Sequence, residues 1–219
     1  MKMKAILTHI QFAQAVDYFL SPASAKHIPE MHRISNLPPS EDNDALLLGY
    51  CMEGIRLAGT FGSYREAAVD DVIPEDDGHQ VPVKAHDRVF VSFVREFPCP
   101  GNCDMHHAKE VTNTEFLPKV GAAKDPNHFP DPESVNPRRP LDSYIHFGAG
   151  PHACLGRDVA QAALTEMFRS VFRLKNVRRA PGPQGELKKV PRPGGFYVYM
   201  REDHGAYFPF PCTMKICYD

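Results

Sequence analysis

The sequence predicts a mainly α-helical protein with small β-sheets, an α+β fold, on the basis of three observations. Apolar residues recur at helical spacing in three long segments, and short runs rich in β-branched and aromatic residues lie between the second and the third. The 21 prolines fall mostly in the second half of the chain, where they favour loops and turns. A hydrophobic fraction of 42% fits a globular protein.

The first two long helices lie in the N-terminal quarter of the chain. The first has apolar positions at helical spacing, namely Leu7, Ile10, Ala13, Val16 and Leu20. No capping residue precedes it, so we expect the chain to begin inside a helix of a truncated domain. A short helix at about 28–34 and a proline-rich linker lead to the second, over about 44–57, with Asp42 or Asn43 as its cap.

The third long helix is predicted over about 155–174, after a stretch of short strands and loops. Its apolar stripe comprises Ala160, Ala163, Leu164, Met167, Phe168 and Val171, which leaves Arg157, Glu166, Arg169 and Arg173 outside. Strands are predicted at 81–83 and 89–94, an irregular insertion at 95–122, and a terminal hairpin around 194–200.

Charge and cysteine content exclude several classes of protein. A formal net charge of −2 provides no basic excess for nucleic acid. No apolar run approaches the roughly 18 residues of a transmembrane segment. The six cysteines show no disulfide framework and no signal peptide precedes them, so we expect a reduced, cytoplasmic protein.

The most informative segment reads Phe-Gly-Ala-Gly-Pro-His-Ala-Cys-Leu-Gly and covers residues 147–156. Gly148 and Gly150 allow a tight turn in which backbone N–H groups can point at the sulfur of Cys154. The helix that follows places the positive end of its dipole near a thiolate. Gly156 permits close approach to a flat macrocycle, and His152 is placed to donate to a haem carboxylate. We therefore predict that Cys154 is the axial ligand of a haem iron.

This segment matches the signature F-x-x-G-x-(R/H)-x-C-x-G of the cytochrome P450 superfamily at every fixed position. The resemblance implies the C-terminal half of the P450 fold, with haem b (iron protoporphyrin IX) as cofactor. The haem would be bound around Cys154 by Phe147, Gly148, Gly150, His152 and Gly156. Phe147 would pack near the thiolate and help to exclude water. We expect one partial haem-thiolate domain over 1–219 that begins inside the distal helix.

Glu53 and Arg56 are spaced to lie on one face of the second long helix, where they can form a charge-assisted pair. They resemble the E-x-x-R motif of the superfamily. Arg139 is the best match for the third partner, with Arg138 as the alternate. These residues would form a structural lock on the proximal side of the haem. Arg65 resembles the arginine that pairs a haem propionate.

Segments 12–19, 53–65 and 208–215 resemble one branch, the haem-thiolate domain of fungal fatty-acid (linoleate) diol synthases, which are psi-factor-producing oxygenases. The resemblance implies that an upstream peroxidase-like dioxygenase domain supplies a fatty-acid hydroperoxide. The present domain would isomerise that hydroperoxide to a diol without a reductase. The resemblance also implies amide side chains on the distal helix that assist O–O cleavage. The stretch 7–11 does not clearly supply them, so the catalytic residues stay unassigned.

Two other functions remain open. A reductase-dependent P450 monooxygenase could dock an acidic redox partner through five basic residues, namely Arg169, Arg173, Lys175, Arg178 and Arg179. The chain could also be a non-catalytic truncated remnant.

One further motif suggests zinc, since Cys99, Cys103, His106 and His107 lie within nine residues. Their spacing is too short to surround one metal tetrahedrally, which favours an irregular surface insertion.

Overall fold

A computed structural model describes the positions of most of the chain. These are residues 2–58, 62–74, 80–92, 114–116, 122–148, 150–192, 196–200, 207–208 and 214–219. The predicted fold class, mainly α with small sheets, is confirmed. The cysteines and histidines considered for zinc lie outside the described residues. Of the insertion predicted at 95–122, the structure describes Thr114–Phe116, which form a strand, and Ala122.

The described residues contain four α-helices. They are α1 (Lys2–Phe19), α2 (Ile28–Ser35), α3 (Glu41–Ala58) and α4 (Arg157–Phe172). The helix α3 begins at Glu41, three residues before its predicted start at about 44. The prediction of Asp42 or Asn43 as its cap is therefore also wrong. The Ser40 hydroxyl accepts a hydrogen bond from the Asn43 N–H at 3.3 Å, and the Ser40 carbonyl accepts one from Asp44 at 2.9 Å. Ser40 is therefore the residue that satisfies the free N–H groups at this helix end.

The strands are short and pair locally. They are β1 (Gly62–Glu66), β2 (Asp71–Pro74), β3 (Gln80–Val83), β4 (Arg88–Ser92), β5 (Thr114–Phe116), β6 (Arg178–Arg179), β7 (Lys189–Arg192), β8 (Phe196–Met200), β9 (Tyr207–Phe208) and β10 (Ile216–Cys217). One sheet has the order β1-β4-β5, in which β4 and β5 are parallel. The predicted terminal hairpin is formed by β7 and β8, and β9 extends it.

The helices build one apolar core, in which α1, α2 and α4 all pack against α3. Phe19 is fully buried near the centre, with ring centroids 5.9 Å from Tyr50, 6.0 Å from Phe168 and 6.3 Å from Phe172. These edge-on aromatic contacts join residues from α1, α3 and α4. The helix α3, which carries Glu53 and Arg56, is therefore held in place by its packing against α1, α2 and α4.

The sequence prediction for α4 is wrong at two positions. Ala163 is exposed, whereas Arg169, expected outside the apolar stripe, is only 2% exposed. The Arg169 guanidinium contacts the carboxylate of Asp44 near the start of α3, and its Nε lies 3.2 Å from Glu166 Oε1. Because its charge is paired, the long stem can pack inside and tie α4 to α3.

Within the part of the chain that the structure describes, no helix combines the length and hydropathy needed to span a bilayer.

Gly49 makes α3 fit against the loop that carries Arg139. A Cβ at this position would lie 1.9 Å from the carbonyl oxygen of Pro137. Gly49→Ala should lower the free energy of unfolding by about 1–3 kcal/mol, since overpacking outweighs the roughly 1 kcal/mol gain in helix propensity. Urea unfolding followed by circular dichroism measures the change.

The matched control is Ala45→Gly in the same helix, where the side chain is exposed. This variant should lose only the propensity of about 1 kcal/mol. A Gly49→Ala chain at least as stable as the unmodified chain would contradict the close packing of α3 against Pro137.

Candidate functional site

The carboxylate of Glu53 lies at the centre of a buried ionic cluster. Its side chain is 0% exposed, as is that of Arg56 one turn later on α3. Arg56 Nε donates to Glu53 Oε1 at 2.7 Å, and Arg56 Nη2 donates to Oε2 at 2.9 Å. This is the two-pronged geometry in which a guanidinium binds a carboxylate most strongly.

Arg56 also ties α3 to the proline-rich segment 122–139. Its Nη1 donates to the carbonyls of Ala123 at 2.9 Å and Pro132 at 2.6 Å, and its Nη2 donates to that of Ser134 at 3.1 Å. With the two bonds to Glu53, all five N–H groups of the guanidinium have acceptors. A segment that forms only a short 3-10 turn, Ala122–Lys124, and loops therefore gains a fixed path across the helix.

The third basic residue comes from that same segment. Arg139 is 8% exposed, and its Nε donates to Glu53 Oε2 at 3.4 Å. Its Nη2 donates to the carbonyls of Asp131 at 3.1 Å and Ser134 at 3.3 Å. The alternate, Arg138, is exposed, so Arg139 is the arginine that the structure brings to Glu53.

Phe129 forms the apolar wall of the cluster. It is 1% exposed, and the guanidinium carbons of Arg56 and Arg139 lie 5.0 and 5.8 Å from its ring centroid. Both cations therefore gain a cation–π contact at a buried position.

Two further donors to Glu53 are not predicted by the sequence. The backbone N–H of Asn136 donates to Oε2 at 2.9 Å, and the hydroxyl of Tyr144 donates to Oε1 at 2.7 Å. A backbone donor leaves no signal in residue identities. Tyr144 lies 91 positions from Glu53 along the chain, so neither periodicity nor spacing points to the contact.

The cluster keeps Glu53 ionised. Burial raises the pKa of its carboxyl group, but the hydrogen bonds from Arg56, Asn136 and Tyr144 outweigh burial and bring the pKa below its ordinary value. For Tyr144, burial and the neighbouring Glu53 charge raise the pKa well above its usual range. At neutral pH the phenol is therefore a hydrogen-bond donor and the carboxylate an acceptor.

The loop before α4 has the conformation that its glycines allow. Gly148 and Gly150 have φ angles of 70° and 59°, in the left-handed region that favours glycine. The N–H of Cys154 donates to the carbonyl of Phe147 at 2.7 Å, which closes the loop on itself. The Cys154 carbonyl then accepts from Arg157, the first residue of α4, at 3.1 Å.

The Cys154 thiol fits the ligand of a haem iron. It is free and partly exposed, and it lies three residues before a 16-residue helix whose N-terminus favours an anion. Two apolar side chains beside it reach the surface, since Leu155 is 94% and Val159 77% exposed. Phe147 packs against the core below the loop. A soft sulfur ligand on a closed loop beside exposed apolar side chains suits an iron macrocycle.

The remaining predicted haem contacts are placed only by their backbone. His152 ends a short 3-10 turn (Gly150–His152), and Arg65 lies on β1 opposite Val89. Their side chains lie outside the described residues, so contacts to propionates stay predictions. Gly156 precedes the first residue of α4.

The basic surface proposed for a redox partner is smaller than the sequence suggests. Arg169 is buried against Asp44, and Arg179 Nη2 lies 2.6 Å from Asp17 Oδ1. Arg178 Nη1 lies 2.9 Å from Asp219 Oδ1. Three of the five charges are therefore paired with carboxylates of the chain itself.

The chain is similar in sequence to cytochromes P450 and to fungal fatty-acid oxygenases. Residues 114–195 match the family model of cytochrome P450. The chain is 64% identical over 208 residues to a bifunctional dioxygenase–epoxy alcohol synthase of Pyricularia oryzae, with 95% of the chain and 16% of that protein covered. It is 36% identical over 225 residues to the linoleate diol synthase of Gaeumannomyces graminis, with 93% of the chain and 18% of that protein covered.

Solved structures show the same fold. The ligand-free P450 monooxygenase TamI superimposes with a TM-score of 0.53 at 18% identity, covering 89% of the chain and 37% of that protein. The predicted fold, the C-terminal half of a P450, is therefore confirmed. The chain spans about a sixth of the length of the two curated relatives.

Replacing Glu53 by glutamine tests the buried cluster. Glu53→Gln leaves Arg56 buried without an anion, which should cost about 3–5 kcal/mol in the free energy of unfolding at pH 7. Because the folded pKa of Glu53 is depressed, its contribution is complete above about 4.5, the ordinary value, and is lost as pH falls through the folded pKa. The difference from the unmodified chain should therefore narrow in acid.

The control is Glu30→Gln, because Glu30 pairs with Arg33 at the same three-residue spacing. The side chains of that pair are 45% and 57% exposed, so the change should cost at most about 1 kcal/mol. Equal costs for the two variants in thermal unfolding would contradict the buried cluster.

Proposed function

The chain has the sequence signature and the fold of the C-terminal half of a cytochrome P450, and from that premise we propose that it provides the thiolate side of a haem site that rearranges fatty-acid hydroperoxides. The observation that carries the proposal is the free Cys154 thiol on its closed loop at the head of α4. The 64% identity to a dioxygenase–epoxy alcohol synthase supports the substrate class.

Each residue of the proposed site has a separate task. Cys154 would ligate the iron, and the left-handed turns at Gly148 and Gly150 would let the backbone approach the ring. His152 and Arg65 would bind the propionates. Bound through a thiolate, haem supplies the redox chemistry of O–O bond cleavage.

The bracing residues act on the geometry of the site. Glu53, Arg56 and Arg139 hold the segment before the cysteine loop, as their hydrogen bonds to its backbone support. Phe147 seals the inner side of the loop against the core. Support of this kind keeps the sulfur aligned with the iron and lowers the entropy lost on binding the ring.

The proposed reaction is an isomerisation. An epoxy alcohol and a diol both contain the atoms of the starting unsaturated hydroperoxide, so neither product requires electrons from outside. Identity of 64% to the epoxy alcohol synthase against 36% to the linoleate diol synthase favours the epoxy alcohol. A dioxygenase domain of the kind named in the first relative would supply the hydroperoxide.

The test uses the haem-loaded chain and linoleate hydroperoxide with both peroxide oxygens labelled as oxygen-18. The expected product is an epoxy alcohol that retains both labels and forms without a reductase. Cys154→Ala should abolish the thiolate absorption signature and the conversion. Cys217→Ala, the same change at another partly exposed cysteine, should leave both intact. Mass spectrometry of the products measures the outcome.

Other outcomes would favour other functions. A labelled diol would keep the enzyme class and change the product. Oxygen taken from O₂, with a requirement for NADPH and a reductase, would indicate a P450 monooxygenase. Haem binding that is unchanged in Cys154→Ala would indicate a non-catalytic remnant. An unmodified chain that binds no haem would indicate the same.

A further inference from the structure

We infer that Tyr144 is a positioning residue that links the buried carboxylate of Glu53 to the cysteine loop. The inference rests on the proposed haem-thiolate function, which it extends from the ligand to the residue that orients it. Tyr144 is uncharged, unlike Glu53, Arg56 and Arg139. Its role follows from its hydrogen bond, which connects Glu53 on α3 to the residues before the cysteine loop.

The donors to Glu53 come from three parts of the chain. Arg56 lies on the same helix, and Asn136 and Arg139 belong to the segment that ends at Arg139. Among the described contacts of Glu53, Tyr144 alone comes from the stretch that continues to Cys154. Without its hydroxyl the cluster would still hold 122–139, but no described hydrogen bond to Glu53 would come from the residues that follow.

From Tyr144 the path to the sulfur is short and hydrogen-bonded. Tyr144 directly precedes a 3-10 turn, Ile145–Phe147, whose first carbonyl accepts from the Gly148 N–H at 2.8 Å. The Phe147 carbonyl at the end of that turn accepts from the Cys154 N–H at 2.7 Å. A shift of the turn relative to α3 therefore moves the backbone of the ligand residue.

The surroundings of Tyr144 keep its hydroxyl in place. The residue is 4% exposed, with ring centroids 5.6 Å from Phe129 and 5.9 Å from His146. His146 is itself buried, and neither of its ring nitrogens has a hydrogen-bond partner among the described residues. Burial and the charge of Arg56 lower the pKa of His146 to about 4, so at neutral pH it adds no cation that competes for Glu53.

The experiment compares Tyr144→Phe with Tyr50→Phe by amide hydrogen exchange of the chain without haem. Tyr144→Phe keeps the ring and removes only the hydroxyl. Exchange at 145–154, including the Gly148 and Cys154 amides, should quicken about tenfold, the size expected for a lost bond to a carboxylate. Exchange at 122–139 should stay unchanged. Tyr50→Phe, a buried tyrosine on α3, should alter neither segment.

Two results would overturn the inference. Exchange that is unchanged at 145–154 would show that the hydroxyl does not hold the turn. Exchange that quickens equally at 122–139 and in α3 would show a general contribution to stability in place of positioning.

A second measurement connects the residue to the metal. In the haem-loaded chain, Tyr144→Phe should speed the conversion of the ferrous carbon-monoxide spectrum from thiolate to neutral-thiol ligation by about tenfold. If the unmodified chain shows a thiolate spectrum and Tyr144→Phe converts at the same rate, the role of Tyr144 is contradicted and the proposed haem-thiolate function is not. If the unmodified chain shows no thiolate spectrum, the proposed function fails, while the exchange result still tests the link from Tyr144 to the loop.

Discussion

The carboxylate of Glu53 is buried, and it is kept ionised by donors from α3, from the segment that ends at Arg139 and from Tyr144. An isolated buried carboxylate is too costly to persist, so its charge requires donors in fixed positions. Arg56 comes from the same helix, whereas the Arg139 side chain and the Asn136 backbone come from a segment without regular structure. The cost of burying one charge thus becomes the constraint that shapes a proline-rich loop.

The position of Cys154 depends indirectly on the burial of the Glu53 carboxylate. The loop around it has two left-handed glycines and closes through a short backbone hydrogen bond from Cys154 to Phe147. This bond fixes the shape of the loop but not its place in the molecule. Its place is set at both ends. Before the loop, Tyr144 binds the cluster on α3, and after it α4 is tied to the start of α3 by the buried Arg169. The thiol is thereby held between two anchors on one helix.

The residues that sequence analysis found and those it missed differ in a physical way. Cys154 and its glycines lie close together in sequence, so their spacing predicts the loop conformation. Glu53 and Arg56 are one helical turn apart, and periodicity alone puts them on one face. Tyr144 reaches the same carboxylate only because an irregular segment folds back over α3, which no local pattern encodes. Arg169 was misplaced for a related reason, since an amphipathic pattern assigns charges to the surface and cannot foresee a partner such as Asp44 on another helix.

X-ray absorption at the iron edge tests most directly whether the Glu53 cluster holds Cys154 as a thiolate ligand. The measurement compares the haem-loaded chain with Cys154→Ala and Glu53→Gln. We expect one sulfur neighbour of iron in the unmodified chain and none in Cys154→Ala. The sulfur contribution should be reduced in Glu53→Gln. In the control, Glu30→Gln, it should stay nearer to that of the unmodified chain. An iron without a sulfur neighbour in the unmodified chain would contradict the assignment of Cys154. A full sulfur contribution in Glu53→Gln would contradict the role of the buried carboxylate.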